Sequence, residues 1–366
     1  MLKFLALYED AFGPLRVFES ITFRSALALV GAFVLSLLTG RAFITALAGL
    51  RVTEDVENPD SAQLATLHAG KRFTPTMGGI MIVIAMLLAT FLFADPFNHY
   101  VVMALFALLS FAGVGLVDDF FKLRRIGRHR GLSRGGKIAI QIVLATLIAT
   151  ALWQVGDQAH VSRLLVPGTK LADFYPDLGA FYLPFFILVV VSSSNAVNLT
   201  DGLDGLAAGC VVLVAGAYTV FAYVSGHAGV AEYLRIPHVS HTGELTVFCA
   251  AMVGATLGFL WFNAHPARVF MGDTGSLALG AAIGFVSLAV KQELVLVIAG
   301  GLFVWEALSV LLQIASCKLF GKRVFRCAPF HHHLEFSGWP ENHVVVRFWC
   351  IGIMLAAAGL ATLKMH

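Results

Sequence analysis

Ten apolar stretches, at about residues 22–40, 77–95, 100–118, 137–153, 181–198, 205–224, 246–264, 275–291, 295–317 and 344–362, leave this chain little choice of fold. About 17–25 apolar residues suffice to cross the hydrocarbon core of a bilayer as a helix. In lipid a spanning backbone must satisfy its own hydrogen bonds, so runs of this length become helices. A composition 58% hydrophobic and 13% charged, with mean hydropathy +0.82, excludes a soluble protein. The expectation is an all-α polytopic membrane protein of about ten transmembrane helices, forming one integral-membrane domain over residues 1–366. Residues 1–20 carry Lys3, Glu9, Asp10 and Arg16 without a small-residue cleavage site, so the first span reads as a retained anchor.

An even number of spans puts both termini on one face. Linkers 41–76, 119–136, 265–274 and 318–343 carry most of the Lys and Arg, above all Lys122, Arg124, Arg125, Arg128, Arg130 and Arg134. The opposite set, 95–99, 154–180, 225–245 and 292–294, holds only Arg163, Lys170 and Arg235, with Lys291 at its border. Positive charge favours the cytoplasm, so both termini are expected to be periplasmic. Residues 161–166, the Pro167-Gly168 turn and residues 169–174 predict a small periplasmic β-hairpin. Five cysteines, mostly in spans or on the cytoplasmic side, do not suit a disulfide framework. In the ninth stretch Glu306 and Gln313 share one helical face, which predicts a tilted or bent helix facing a polar groove.

Four polar clusters fall where spans end, and parity puts them all on the basic side: Asp118-Asp119, Asn198 to Asp204, Asp273, and His331-His332-His333. Acids at membrane depth are costly, so they usually line a wet cavity or a functional site. Neighbouring helical residues point about 100° apart. One of Asp118 and Asp119 can therefore bind a cation while the other faces a substrate; the plain alternative is a solvated helix end. Asn195, Asn198, Asp201 and Asp204 recur every third residue, so a helical or 3₁₀ turn would align them on one side.

Around Asp273, the glycines and hydroxyls of Met271 to Ser276 would expose backbone N–H groups at the start of the eighth span, an anion site. Asp273 itself suits a hard cation such as Mg²⁺; the alternative is a helix cap. Consecutive histidines cannot all face one site. One of them suits a phosphate donor or proton carrier, while a zinc site with Cys327 lacks a recognisable ligand spacing. Lys71, Thr74 and Thr76 before Gly78-Gly79 suit diphosphate contacts, or a snorkelling base at a helix start. Gly131 to Lys137 imitates a P-loop, but Ile138 stands where the Ser/Thr for Mg²⁺ would be.

Taken with Phe262-Asn263, Phe270-Met271-Gly272-Asp273, and Ala328 to Glu335 followed by Gly338-Trp339-Pro340, these segments resemble the polyprenyl-phosphate N-acetylhexosamine-1-phosphate transferases over nearly the whole chain. The resemblance implies transfer of phospho-MurNAc-pentapeptide from UDP-MurNAc-pentapeptide to undecaprenyl phosphate, giving lipid I and UMP in peptidoglycan synthesis. It implies Mg²⁺, a homodimer in the bacterial cytoplasmic (inner) membrane among membrane lipid, an active site facing the cytoplasm and no nucleic-acid partner. Phosphoryl transfer asks chiefly for positioning and charge neutralisation. On this resemblance Asp118, Asp119, Asp273 and His331 are the expected catalytic residues, and Asp273 and Asp201 the metal ligands. Substrate contacts are expected from Lys71, Thr76, Lys137, Asn195, Asn198, Asp201, Asp204, Asn263, Phe270, His332 and His333, with Phe270 stacking on uracil. A sister transferase using UDP-GlcNAc is disfavoured by the triple histidine. A secondary transporter would carry its acids near the midplane rather than at one face.

Overall fold

The computed structural model describes residues 1–8, 10, 12–49, 71, 74–124, 131–169 and 174–365. Its helices are α1 (Ile21–Gly49), α2 (Gly79–Phe93), α3 (His99–Leu123), α4 (Arg134–Val155), α5 (Tyr182–Thr200), α6 (Leu206–Gly226) and α7 (Ala228–Leu234). They continue with α8 (Leu245–Asn263), α9 (Gly272–Ala289), α10 (Val295–Ala299), α11 (Gly301–Phe320), α12 (Phe330–Glu335) and α13 (Glu341–Ala361). Among the described residues nine helices are long and apolar enough to cross a membrane, and the 15-residue α2 is a shorter apolar one. These ten correspond one for one to the predicted stretches. The ninth is bent, as expected, with α10 and α11 meeting at Gly300.

The bundle is built around α9, whose apolar window is 94% buried against 22% for α1 and α11. It packs on α3 and α5, while α8 packs on α1 and α6. Lipid gives helices no hydrophobic reason to associate, so close backbone approach through small residues has to do it. A methyl group at Gly79 of α2 would strike the backbone of Gly275, and one at Gly115 of α3 the carbonyl of Asp273. At Gly280 and Gly284 a methyl would meet the backbone of α5 around Val190, Ser193 and Ser194. These crossings lay the first turn of α9 against the last turns of α3, which is what brings Asp273 to Asp118 and Asp119.

One end of the bundle gathers the C-termini of α3, α5, α8 and α11 with the N-termini of α4, α6, α9 and α13. Both chain termini lie at the other end. There the Met1 ammonium donates to the carbonyls of Phe91 and Ala94 at 3.0 and 3.3 Å, and the Lys364 ammonium lies 4.0 Å from the ring centroid of Tyr233. At that end the buried Arg24 donates to both oxygens of Glu244 at 2.7 and 2.6 Å, tying α1 to α8 by a bidentate pair.

Among the described residues no strand of the predicted hairpin forms. The turn is present, since the Thr169 N–H donates to Val166 O at 3.2 Å and Gly168 takes φ +83°, the position a type II turn reserves for glycine. No strand follows among the described residues. An isolated antiparallel bridge joins Arg163 to Asp177 instead, and residues 170–173 of the expected second strand lie outside the described residues.

Candidate active site

The first turn of α9 is capped by another helix. Its preceding residue Met271 makes no side-chain cap, and the Asp273 and Thr274 N–H groups donate to Asp119 at 3.2 and 3.0 Å. Thr274 Oγ1 donates to the same carboxylate at 2.7 Å. A carboxylate suits the positive end of a helix dipole. The anion site expected at the start of this span is thus filled by Asp119, whose carboxylate holds the backbone of Asp273 and Thr274. Gly272 makes the turn possible. It has φ +73°, and a methyl group there would press on Asp119 at 2.9 Å and Thr76 at 3.1 Å. Thr76 is accordingly buried behind the turn.

In front of that turn Asp118 and Asp273 share two lysines. Lys122 Nζ lies 3.0 Å from a carboxylate oxygen of each. Lys137 pairs with Asp118 at 3.3 Å and with Asp273. The Leu132 N–H donates to the second oxygen of Asp118 at 2.7 Å, and Asn198 Nδ2 donates to Asp273 at 2.8 Å and to Ser276 Oγ at 2.9 Å. The segment that imitates a P-loop therefore serves the site by another route: Ser133 caps α4, accepting from the Gly136 N–H, and α4 presents Lys137 from its first turn. Asn195, one turn before Asn198, donates to Gln141 of α4 at 2.6 Å.

A second cluster lies at the same end of the bundle, between α5 and α6 and at the start of α13. Lys71 Nζ donates to Asp204 at 2.7 Å and to Glu341 at 2.5 Å. Glu341 also accepts the Asp204 N–H at 2.8 Å, and His265 Nδ1 lies 3.0 Å from the other Asp204 oxygen. Among the described residues Asp204, His265 and Glu341 are the set with metal-ligand proximity, with Lys71 already bonded to both carboxylates. Cys327 belongs to no such group, and burial pushes its thiol above the usual range, which disfavours a thiolate ligand.

The three histidines do three different things. His331 is fully buried on Glu306, whose oxygens accept from the His331 N–H at 3.2 Å and contact Nδ1 at 3.1 Å. Its Nε2 has no partner and faces Gly202, where a methyl group would strike it. His332 Nδ1 meets Glu335 at 2.7 Å. His333 Nδ1 accepts the Arg326 N–H at 3.1 Å and its ring stacks on Phe330 with centroids 5.5 Å apart, so it shapes the segment. Gln313 clamps the same segment, accepting from the Val324 and Phe325 N–H groups and donating to Phe325 O. Glu306 and Gln313, expected to face a polar groove, instead hold the histidine segment on α11.

The last turn of α5 and the turn that follows thus touch all three groups, through Asn198, Gly202 and Asp204, with the half-buried Asp201 between them. Expected alignment of these residues on one side gives way to a division between neighbouring clusters. Asn263 is buried with both ends of its amide engaged by backbone, accepting from Gly205 N–H at 3.0 Å and donating to Val269 O at 2.8 Å, so it braces this turn. Phe270 is half-buried, and its backbone bonds to Pro75 O and the Gly78 N–H, both at 2.8 Å, seat the segment before α2 on the start of α9. Lys122, His265, Glu341 and Glu306 were not singled out as site residues from sequence. Lys122 stands four residues after Asp118, a visible signal; His265 and Glu341 meet only through the fold.

Residues 100–291 match the family model described as glycosyl transferase family 4. Relatives named phospho-N-acetylmuramoyl-pentapeptide-transferase are similar over nearly the whole chain. That of Methylacidiphilum infernorum is 45% identical over 368 residues, covering 100% of both chains. That of Koribacter versatilis is 46% identical over 383 residues, covering 98% of this chain and 99% of its own. A third, from Solidesulfovibrio magneticus, is 48% identical over 356 residues, 97% of each chain.

Proposed function

The chain belongs to glycosyl transferase family 4, in the branch of the phospho-N-acetylmuramoyl-pentapeptide-transferases, and on that footing we propose the reaction and the residues that carry it. The protein transfers phospho-MurNAc-pentapeptide from UDP-MurNAc-pentapeptide to undecaprenyl phosphate, giving lipid I and UMP for peptidoglycan synthesis. The observation that carries the site assignment is the turn from Asn198 to Asp204, which joins the Asp118–Asp273–lysine group, the Lys71–Asp204 group and His331 at one end of the bundle. Polar groups at an end suit chemistry on a lipid head group; a conduction path would need them at mid-bundle.

The donor set fits a hard divalent cation. Asp118 and Asp273 are oxygen ligands of the kind Mg²⁺ prefers, and in this structure Lys122 and Lys137 balance their charge. Mg²⁺ held there, with Asp201 as a further carboxylate, would neutralise charge on the diphosphate. Lys122 and Lys137 are placed to take phosphate oxygens once their carboxylates are engaged. Asp118 faces the lipid phosphate as base or orienting carboxylate, Asp119 holds α9 in register, and Lys71, Asp204 and Phe270 serve the nucleotide side. The basic linkers support a cytoplasmic site with periplasmic termini, and a homodimer remains part of the proposal.

The test is UMP release and lipid-product formation by the purified protein in undecaprenyl-phosphate vesicles, with each UDP-sugar in turn. UDP-MurNAc-pentapeptide is expected to turn over in a chelator-sensitive manner. Turnover of UDP-GlcNAc alone would move the protein to the sister class. For sidedness, Ser337→Cys in a cysteine-free background should resist an impermeant thiol reagent in intact cells, while Gly168→Cys reacts.

A further inference from the structure

Glu306 has no counterpart in the expected catalytic set, yet it is the fully buried carboxylate on which the histidine segment is built. It lies on α11 and reaches the first residues of α12. Two of its contacts come from one residue, the His331 backbone N–H to Oε1 at 3.2 Å and the ring Nδ1 to Oε2 at 3.1 Å. A carboxylate accepts and does not donate, so a short contact to Nδ1 places the proton on Nδ1. The imidazole is then turned so that Nε2, buried and unpartnered, faces the Gly202 backbone in the turn that carries Asn198, Asp201 and Asp204. Burying a carboxylate is costly unless its partners satisfy it, and a single residue supplies both the contacts that orient the ring.

We propose that Glu306 is a positioning residue for the transfer reaction, fixing the tautomer and the ring plane of His331 so that Nε2 is presented to the substrate side of the Asn198–Asp204 turn. The inference rests on the transferase reading above and adds a residue that acts only through His331. Glutamine cannot replace it fully. An amide turns one of the two acceptors into a donor, so either the His331 backbone N–H faces another donor or Nδ1 becomes an acceptor and the ring takes the other tautomer. The rest of the segment is held independently by Gln313 and by the packing of Trp305, Phe325 and Phe330, which keeps loss of orientation separate from loss of the fold.

The experiment is a double-mutant cycle on the full chain in detergent, with UMP release and thermal unfolding measured for wild type, Glu306→Gln, Glu306→Asp, His331→Gln and the Glu306→Gln/His331→Gln pair. Removing a group that orients a site ligand commonly costs about 10–100-fold. Glu306→Gln is expected to lose kcat on that scale with KM for the UDP-sugar unchanged, and Glu306→Asp to recover part of it. The pair should be no worse than His331→Gln alone, because residues acting as a unit are not additive. Multiplying losses, a KM effect alone, or full kcat in folded Glu306→Gln would overturn the proposal. The ¹⁵N spectrum of labelled histidines, with His331 assigned by its absence in His331→Gln, supplies a readout independent of turnover. Wild type should show His331 protonated at Nδ1, and an Nε2-protonated ring would refute the assignment even in a preparation that turns nothing over. Wild type that releases no UMP while showing the Nδ1 proton would count against the transferase reading instead.

Discussion

Replacing Asp119 with asparagine separates two accounts of the acidic pair. Asp119 accepts three hydrogen bonds from the first turn of α9, from the N–H groups of Asp273 and Thr274 and from Thr274 Oγ1. Hydrogen bonds to a charged group contribute about 1.5–3 kcal/mol, against about 0.5–1.5 for neutral pairs. An asparagine keeps one carbonyl for Thr274 but turns its NH₂ towards the Asp273 N–H, leaving a buried donor unmet at a cost of about 1–3 kcal/mol. The total is about 2–5 kcal/mol. At about 2 °C per kcal/mol for a large chain, Asp119→Asn should melt about 4–10 °C lower in detergent. Asp118→Asn still accepts from Leu132 and leaves Lys122 and Lys137 paired with Asp273, so no charge is stranded without a partner. It should lose turnover with little change in melting. Scanning fluorimetry beside UMP release at a temperature where both variants are folded decides the matter. An Asp119→Asn protein that is inactive with an unmoved melting point would refute the capping role and return Asp119 to the reacting groups.

Two further outcomes follow from contacts elsewhere. Gly202→Ala drives a methyl group into Nε2 of His331; it should cost about 1–3 kcal/mol of stability and most of the turnover, and a fully active variant would show that His331 does not pack there. At the opposite end Lys291 and Glu293 form a buried pair at 3.1 Å, with the Lys291 ammonium 4.5 Å from the Tyr182 ring centroid. Lys291→Met should destabilise by about 3–5 kcal/mol and Lys291→Met/Glu293→Leu should recover most of it, with UMP release below the melting point unaffected throughout; equal melting of the single and double variants would contradict a mutual pair.

The spans were legible because lipid leaves a chain few alternatives, and each apolar run became a helix. No hairpin strand is seen among the described residues because turn chemistry is local, whereas pairing is not: Arg163 bridges to Asp177 and the Leu164 N–H donates to Pro176. The acids were visible as costly residues at span ends, but their division of labour was not. Asp118 and Asp119 are adjacent in sequence, yet the close approach of Gly115 to the backbone of Asp273 and Thr274 decides which one faces α9. Likewise Asp273 and Thr274 look like a self-made cap, and only the neighbouring helix shows that the cap comes from Asp119. His265 and Glu341 carry no local signature, because their meaning arises from partners 61 and 137 residues away, whereas Glu306 stood out as an acid within a span but its pairing with His331 did not.

Asp273 is the centre of the site, held by Asp119 from behind and facing Asp118, Lys122, Lys137 and Asn198 in front. The most direct measurement is lipid I formation from UDP-MurNAc-pentapeptide in undecaprenyl-phosphate vesicles, by wild type and Asp273→Asn, across a Mg²⁺ titration after chelation. Wild type should be silent without added metal and recover with it. Asp273→Asn should keep its fold, since the backbone N–H that Asp119 accepts is unchanged, yet stay inactive at every Mg²⁺ concentration. Near wild-type turnover by folded Asp273→Asn would contradict the account.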